Sequence, residues 1–231
     1  MKKAGMLALL VVFCLSLVGM ARANSSGPST VCLYCGNGFI DGNDDAWPIN
    51  LGFATANTFT LTSPGTVQYV EIASWASPGD PITSIGWAIG TAPGFGVADP
   101  VFASGTSATT NYYAFTNTYG YDIYVDAFGT GPVPLGAGTY WLTLYDATTG
   151  VPGDPALWDM NDGPSAAWNS SVGYVTPDIC PSYFPGGGTC SDAFVVVGTQ
   201  GVSPEPGGLL LLGSGLLGLG GMLHGRAKRN V

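Results

Sequence analysis

The chain has 231 residues with six Lys+Arg, fifteen Asp+Glu and one His. Between Asn24 and Ser203 there is no Lys, Arg or His, while fourteen carboxylates, thirteen Asp plus Glu71, remain. Such a body cannot neutralise phosphates, which excludes nucleic acid as a direct partner, and it lacks the imidazole, amine and guanidinium groups that Ser-His-Asp, Cys-His, Schiff-base or phosphoryl-transfer chemistry would use.

From the N-terminus, Lys2-Lys3 precede an apolar run from Met6 to Val18, and Ala21-Arg22-Ala23 follows. A short basic head, a hydrophobic stretch of this length and a small-x-small site are expected to form a signal peptide over residues 1–23, cleaved after Ala23. An exported body over residues 24–202 follows. The whole chain's 36 Gly and 17 Pro approach the composition of a structureless chain, but its six Trp, eleven Tyr and ten Phe give apolar surface to bury.

After cleavage four cysteines remain, Cys32, Cys35, Cys180 and Cys190, an even number that in an exported chain reads as two disulfides. Cys180–Cys190 around a triple-Gly turn and a tight Cys32–Cys35 loop are the expected pairs. Crossed bridges between the two ends of the body are the open alternative. A four-cysteine zinc site fits less well, because the second pair is spaced too widely for a zinc ribbon.

The hydrophobic period through the body is two. Thr58–Thr62 sets Phe59 and Leu61 against threonines. Thr83–Thr91 puts Ile85, Trp87 and Ile89 on one face. Tyr121–Phe128 separates Tyr121, Ile123, Val125 and Ala127 from Asp122, Tyr124, Asp126 and Phe128. Gly138–Asp146 separates Tyr140, Leu142 and Leu144 from Thr139, Trp141, Thr143 and Tyr145. Further strands are expected at Thr66–Trp75, Pro100–Ser104, Thr110–Phe115, Ala156–Met160, Gly173–Thr176 and Ala193–Val197. With turn residues between them and no helical window, the expected fold is all-β: an antiparallel β-sandwich of jelly-roll type. Pro-Gly-Asp-Pro at Pro78–Pro81 and again at Pro152–Pro155 reads as turn chemistry, with a φ > 0 glycine and a carboxylate acceptor.

Two acidic clusters stand out, Asp41-Gly-Asn43-Asp44-Asp45 and Asp159-Met-Asn161-Asp162-Gly163. Asp41, Asn43, Asp45, Asp159 and Asn161 are the candidate calcium ligands, since hard cations take carboxylate and amide oxygens from short loops. The alternative is solvated turns at strand ends, and neither cluster carries the late bidentate acid of an EF-hand. No other cofactor is expected. Trp47, Trp141, Trp158, Trp168 and Tyr124 are the rings that could stack on sugars, whereas the strand pattern assigns Trp75 and Trp87 to packing.

The C-terminal segment, residues 203–231, runs Pro204-Glu205-Pro206, then a Leu/Gly-rich stretch over Leu209–Leu223, then Arg226, Lys228 and Arg229. The twenty residues from Pro206 to Gly225 carry no full-time charge, enough for a single transmembrane helix with its basic stop in the cytoplasm and the acidic body outside. Gly213-Ser-Gly215-Leu-Leu-Gly218 fits a dinucleotide fingerprint in letters, but no acid follows it and the chain ends thirteen residues later. It is membrane-helix glycine.

That combination of Pro204, Glu205 and Pro206, the apolar span and the basic cluster resembles the bacterial PEP-CTERM sorting signal. Segments such as Gly138-Thr-Tyr-Trp-Leu-Thr-Leu and Trp158-Asp-Met-Asn-Asp-Gly resemble the bodies that precede such tails. The resemblance implies processing by a membrane-embedded exosortase and delivery to the cell surface or its exopolysaccharide. Together these features imply an exported, noncatalytic structural or adhesive protein, held at the inner membrane through its tail until processing. The first alternative is a calcium-assisted carbohydrate-binding module. The second is a glycoside hydrolase working with two carboxylates alone, a chemistry that needs no cation.

Overall fold

The computed structural model describes residues 29–36, 46–94, 101–161, 166–171 and 191–201. The expected signal peptide, the sorting tail, Cys180, Cys190, the strand at Gly173–Thr176 and the cluster Asp41–Asp45 lie outside the described residues. Among those described, every regular element is a strand: β1 Thr30–Cys35, β2 Ala46–Pro48, β3 Phe53–Leu61, β4 Gly65–Ala76, β5 Ile82–Gly90, β6 Val101–Thr116, β7 Asp122–Leu135, β8 Gly138–Thr149, β9 Ala156–Asn161, β10 Ala167–Ser171, β11 Ser191–Asp192 and β12 Phe194–Gln200.

The strands form one antiparallel sheet in the order β1-β12-β4-β7-β6-β5-β8-β3-β10, with β9 beside the end of β4 and carrying β2 and β11. The sheet curls strongly into a half-barrel. The spine of the curl is β6, which pairs through Val101–Ala108 with β5 and through Thr109–Thr116 with β7. The sequence pattern shows this strand as two, at Pro100–Ser104 and Thr110–Phe115. The stretch between them, Gly105-Thr-Ser-Ala-Thr109, lacks large apolar residues, yet the main chain continues as a strand because β5 and β7 take over its pairing in turn.

Curling brings the apolar rows of both arms into one core. Ile85, Trp87, Ile89, Leu142, Leu144, Phe59 and Leu61 come from one side, and Val70, Ile72, Phe128, Trp158, Phe194 and Val196 from the other. Phe194 joins them, edge-on to Phe59 at 6.4 Å and to Trp158 at 5.4 Å. Each large side chain buried here contributes about 1.5–3 kcal/mol. The two rows read from Tyr121–Phe128 do alternate, and the row bearing Asp126 faces Ile72 and Ser74 on the interior, so a carboxylate enters the fold with it.

Both Pro-Gly-Asp-Pro turns have the glycine in the left-handed region, Gly79 at φ 74° and Gly153 at φ 95°. The Asp80 carboxylate then accepts the N–H groups of Gly150 (2.6 Å) and Val151 (3.1 Å), tying the first turn to the loop that leads into the second. Cys32 and Cys35 are bonded to each other, which rules out the crossed pairings.

Candidate functional site

The arm formed by β5, β8, β3 and β10 has an outer face built from small residues and a few rings. Because Tyr140, Leu142 and Leu144 enter the core, Trp141, Thr143 and Tyr145 must point outward. Their neighbours in register are Gly90, Ala88 and Gly86 on β5, and Thr58, Ala56 and Ala54 on β3. Trp168 on β10 lies opposite Ala56. The rings of Trp141 and Trp168 meet across β3 edge-to-face, 5.8 Å between centroids at 75°, and both are half-buried.

Small residues make this arrangement possible. The ring of Tyr145 lies over Gly86, where an added Cβ would come within 2.7 Å of it. Its hydroxyl points to the carbonyl of Trp87 at 3.5 Å, and burial, with the Asp146 charge second, holds its phenol above the usual value. Exposed hydroxyls border the surface where Thr60 and Thr139 share a hydrogen bond of 2.9 Å, whereas Thr143 is buried beneath it and accepts the N–H of Gly94 at 2.9 Å. Aromatic faces carry negative potential and attract the C–H faces of a sugar ring, while hydroxyls match its rim.

The other rings singled out by sequence are elsewhere. Trp158 is fully buried, with its indole N–H donated to the Ala193 carbonyl at 3.0 Å. Tyr124 is buried against Tyr113, and half-buried Trp47 packs on Met160 and Ala167. Trp75 and Trp87 are both buried, Trp87 within the core row of its strand and Trp75 on the face of β4 opposite the core row. Of the five candidates, Trp141 and Trp168 alone form a pair on the outer face. Three exposed tyrosines, Tyr112, Tyr113 and Tyr119, escaped the sequence reading. Tyr119 stacks on Trp75 at 5.7 Å and 21° from a turn organised by Asn117, whose Oδ1 accepts the N–H groups of Tyr119 and Tyr121 at 3.0 Å each. The Asn117-Thr-Tyr-Gly120 turn signal was present in the sequence; the ring placement was not.

The carboxylates divide by burial. Asp159 is no solvated turn residue: it sits fully buried on β9, opposite Ala46, and accepts the Trp75 indole N–H at 2.5 Å. Asn161 is half-buried on the same strand. Among the described residues no three His, Cys, Asp or Glu side chains converge as a metal-binding group. Asp126 is buried between β4 and β6, accepting from the Ser74 hydroxyl at 2.5 Å and the Asn111 amide at 2.7 Å. Burial pushes its carboxyl up to about 6, against the pull of those two donors. Asp192 on β11 is also buried, with the Asn57 amide at 3.1 Å. Desolvation first, then the charge of Asp159, raises it well above the ordinary value. By contrast Asp122 is at the surface, held below the usual value by the Thr116 hydroxyl and the Gly79 N–H. Among the described residues the aspartates tuned upward, Asp126 and Asp192, are interior ones.

Comparison with protein-family models gives no match, and comparison with curated proteins gives none either.

Proposed function

We propose that this is an exported, surface-sorted, noncatalytic protein whose curled β-body, of the sandwich or jelly-roll kind, adheres to neutral glycan through Trp141 and Trp168. Residues 1–23 direct export. The segment 203–231 holds the protein at the inner membrane until an exosortase-type protease acts at Pro204-Glu205-Pro206, with Arg226, Lys228 and Arg229 as the cytoplasmic stop. The destination is the cell surface or its exopolysaccharide.

The observation that carries the adhesive reading is the Trp141–Trp168 pair, two adjacent indoles on a small-residue floor edged by threonine hydroxyls. The charge distribution narrows the ligand. With fourteen carboxylates and no cation from Asn24 to Ser203, the body repels uronate polymers, so the ligand is uncharged.

Retention of the full chain, in detergent micelles, on cellulose or mannan and on alginate tests this. Binding is expected on a neutral polymer and not on alginate, with or without a chelator, and at least tenfold weaker for W141A/W168A. Equal retention of that variant, or no retention on either neutral polymer, overturns the adhesive reading. Sorting is tested separately: Glu205→Ala is expected to keep its tail and remain in the membrane fraction. Normal release of that variant contradicts the assignment of the tail.

A further inference from the structure

Most open edges of this sheet are blunted. The path ends at β1, which carries the Cys32–Cys35 bridge and a register shift between Cys32 and Tyr34, and at β10, which is five residues long. β2 and β11 have three and two residues. Short or interrupted edges are how natural sheets avoid pairing with other chains. β6 is different. It runs for sixteen residues, and among the described residues Thr110–Thr116 has a strand, β7, on one side alone.

The Thr109 hydroxyl and the Asn111 amide both reach the Ile82 carbonyl, marking where β5 ends beside β6. Beyond that point Tyr112, Tyr113 and Ala114 are exposed in succession, Tyr112 by 63% and Tyr113 by 57%. Successive strand residues point to opposite faces, so this segment has solvent on both faces as well as along its edge. One irregularity is present, a bulge that leaves Ala114 without a partner on β7. No residue from Pro100 to Tyr121 is charged, and neither Lys nor Pro guards the strand.

We propose that the open edge at Tyr112–Thr116 is where two copies of this chain pair, antiparallel, about a two-fold axis near Tyr113. Identical edges are self-complementary under that symmetry, so one strand supplies both halves of the interface. Charge selects the place. Copies of a body with fourteen carboxylates and no cation repel one another over most of their surface, whereas this edge is neutral. At physiological salt, screening acts over ~8 Å, so the charges beside the contact decide the repulsion. Two carboxylates adjoin the segment: Asp122, at its far end, engaged by Thr116 at 2.6 Å and by the Gly79 N–H at 2.8 Å, and Asp126, buried beside its near end and engaged by the Asn111 amide at 2.7 Å. Main-chain hydrogen bonds join the copies, and the tyrosine rings pack across the pair.

Dityrosine cross-linking of the full chain in detergent micelles, driven by visible light with a ruthenium tris-bipyridine sensitiser and persulfate, tests this pairing. The expected product is a covalent dimer whose linked peptides contain Tyr112 or Tyr113. T110E/A114E keeps every tyrosine but places like charges along the edge, and should lower the dimer yield at least tenfold. Ala114→Pro, at the position that already lacks a β7 partner, should do the same, with far-UV circular dichroism confirming that each variant is folded. Thr62→Glu, at an exposed turn position after β3, should leave the yield unchanged. A protein that gives no dimer, a dimer linked through other tyrosines, or an undiminished yield in folded T110E/A114E or folded Ala114→Pro overturns the proposal.

Discussion

Trp75 and Trp141 occupy similar places in their strands. Each stands on the face opposite the main core row, Trp75 next to Ser74 and across from Ile123, Trp141 next to Leu142 and across from Thr58, and each touches a second ring. Their surroundings differ because of what lies over them. β9 runs beside the end of β4 and brings Asp159 to the Trp75 indole, while Tyr119 stacks on that ring, leaving Trp75 4% exposed. Among the described residues nothing comparable seals Trp141 and Trp168, which stay half-open over alanine and glycine. An outward position on a strand is therefore not yet a surface position. Whether it becomes one depends on an element supplied from far along the chain.

The largest expected effect separates these two indoles. Trp75→Phe keeps an aromatic ring but withdraws one donor from a buried carboxylate, and should destabilise the fold by about 2–4 kcal/mol, since losing one partner of a buried charged hydrogen bond costs more than the bond itself contributes. Trp141→Phe should shift stability by less than about 1 kcal/mol, because its surface is already part-solvated. Urea midpoints of the two variants check the contrast, and equal losses would remove the distinction drawn above.

Stability and adhesion should also separate with pH. The Asp126 carboxyl is raised from 3.8 to about 6, so the native state binds that proton more tightly than the unfolded chain does. Its contribution is fully present below the unfolded value of 3.8, declines as pH rises toward 6 and is lost above it, a span of about 3 kcal/mol. Asp192, also raised, acts in the same direction. The protein should therefore resist urea better at pH 4.5 than at pH 7.5, the reverse of ordinary acid denaturation. Asp126→Asn should flatten the slope, and a slope unchanged by that substitution would detach it from this residue. Retention on neutral glycan should stay level over the same range, because stacking on indoles involves no titrating group.

Smaller still is the expected effect of Asp192→Asn. The acceptor for the Asn57 amide survives as a carboxamide oxygen, and the buried site no longer has to accommodate a charge. Stability at pH 7.5 should hold or rise slightly, and a loss above about 2 kcal/mol would show that the carboxylate form is required.

Much of this architecture was legible from alternation. Phe59 and Leu61, Ile85 with Trp87 and Ile89, and Tyr140 with Leu142 and Leu144 show the strand class and the core faces, because a period of two leaves one row to bury. β6 was not legible as a single strand, since none of its residues is fully buried and its pairing changes from β5 to β7 midway. β2 and β11 are too short to carry a pattern. The buried carboxylates were hidden for another reason. Asp192 meets Asn57 across 135 positions and Asp159 meets Trp75 across 84, and no local spacing encodes such contacts. Trp141 and Trp168 were recognised as candidate rings, but their meeting depends on β3 lying between β8 and β10.

The adhesive surface is tested most directly by indole emission during titration of the full chain with a neutral oligosaccharide. A saturable change in the wild type that disappears in W141F/W168F, while Trp75, Trp87 and Trp158 remain in place, is the expected result. The same saturable change in that double variant would contradict the assignment of glycan contact to Trp141 and Trp168.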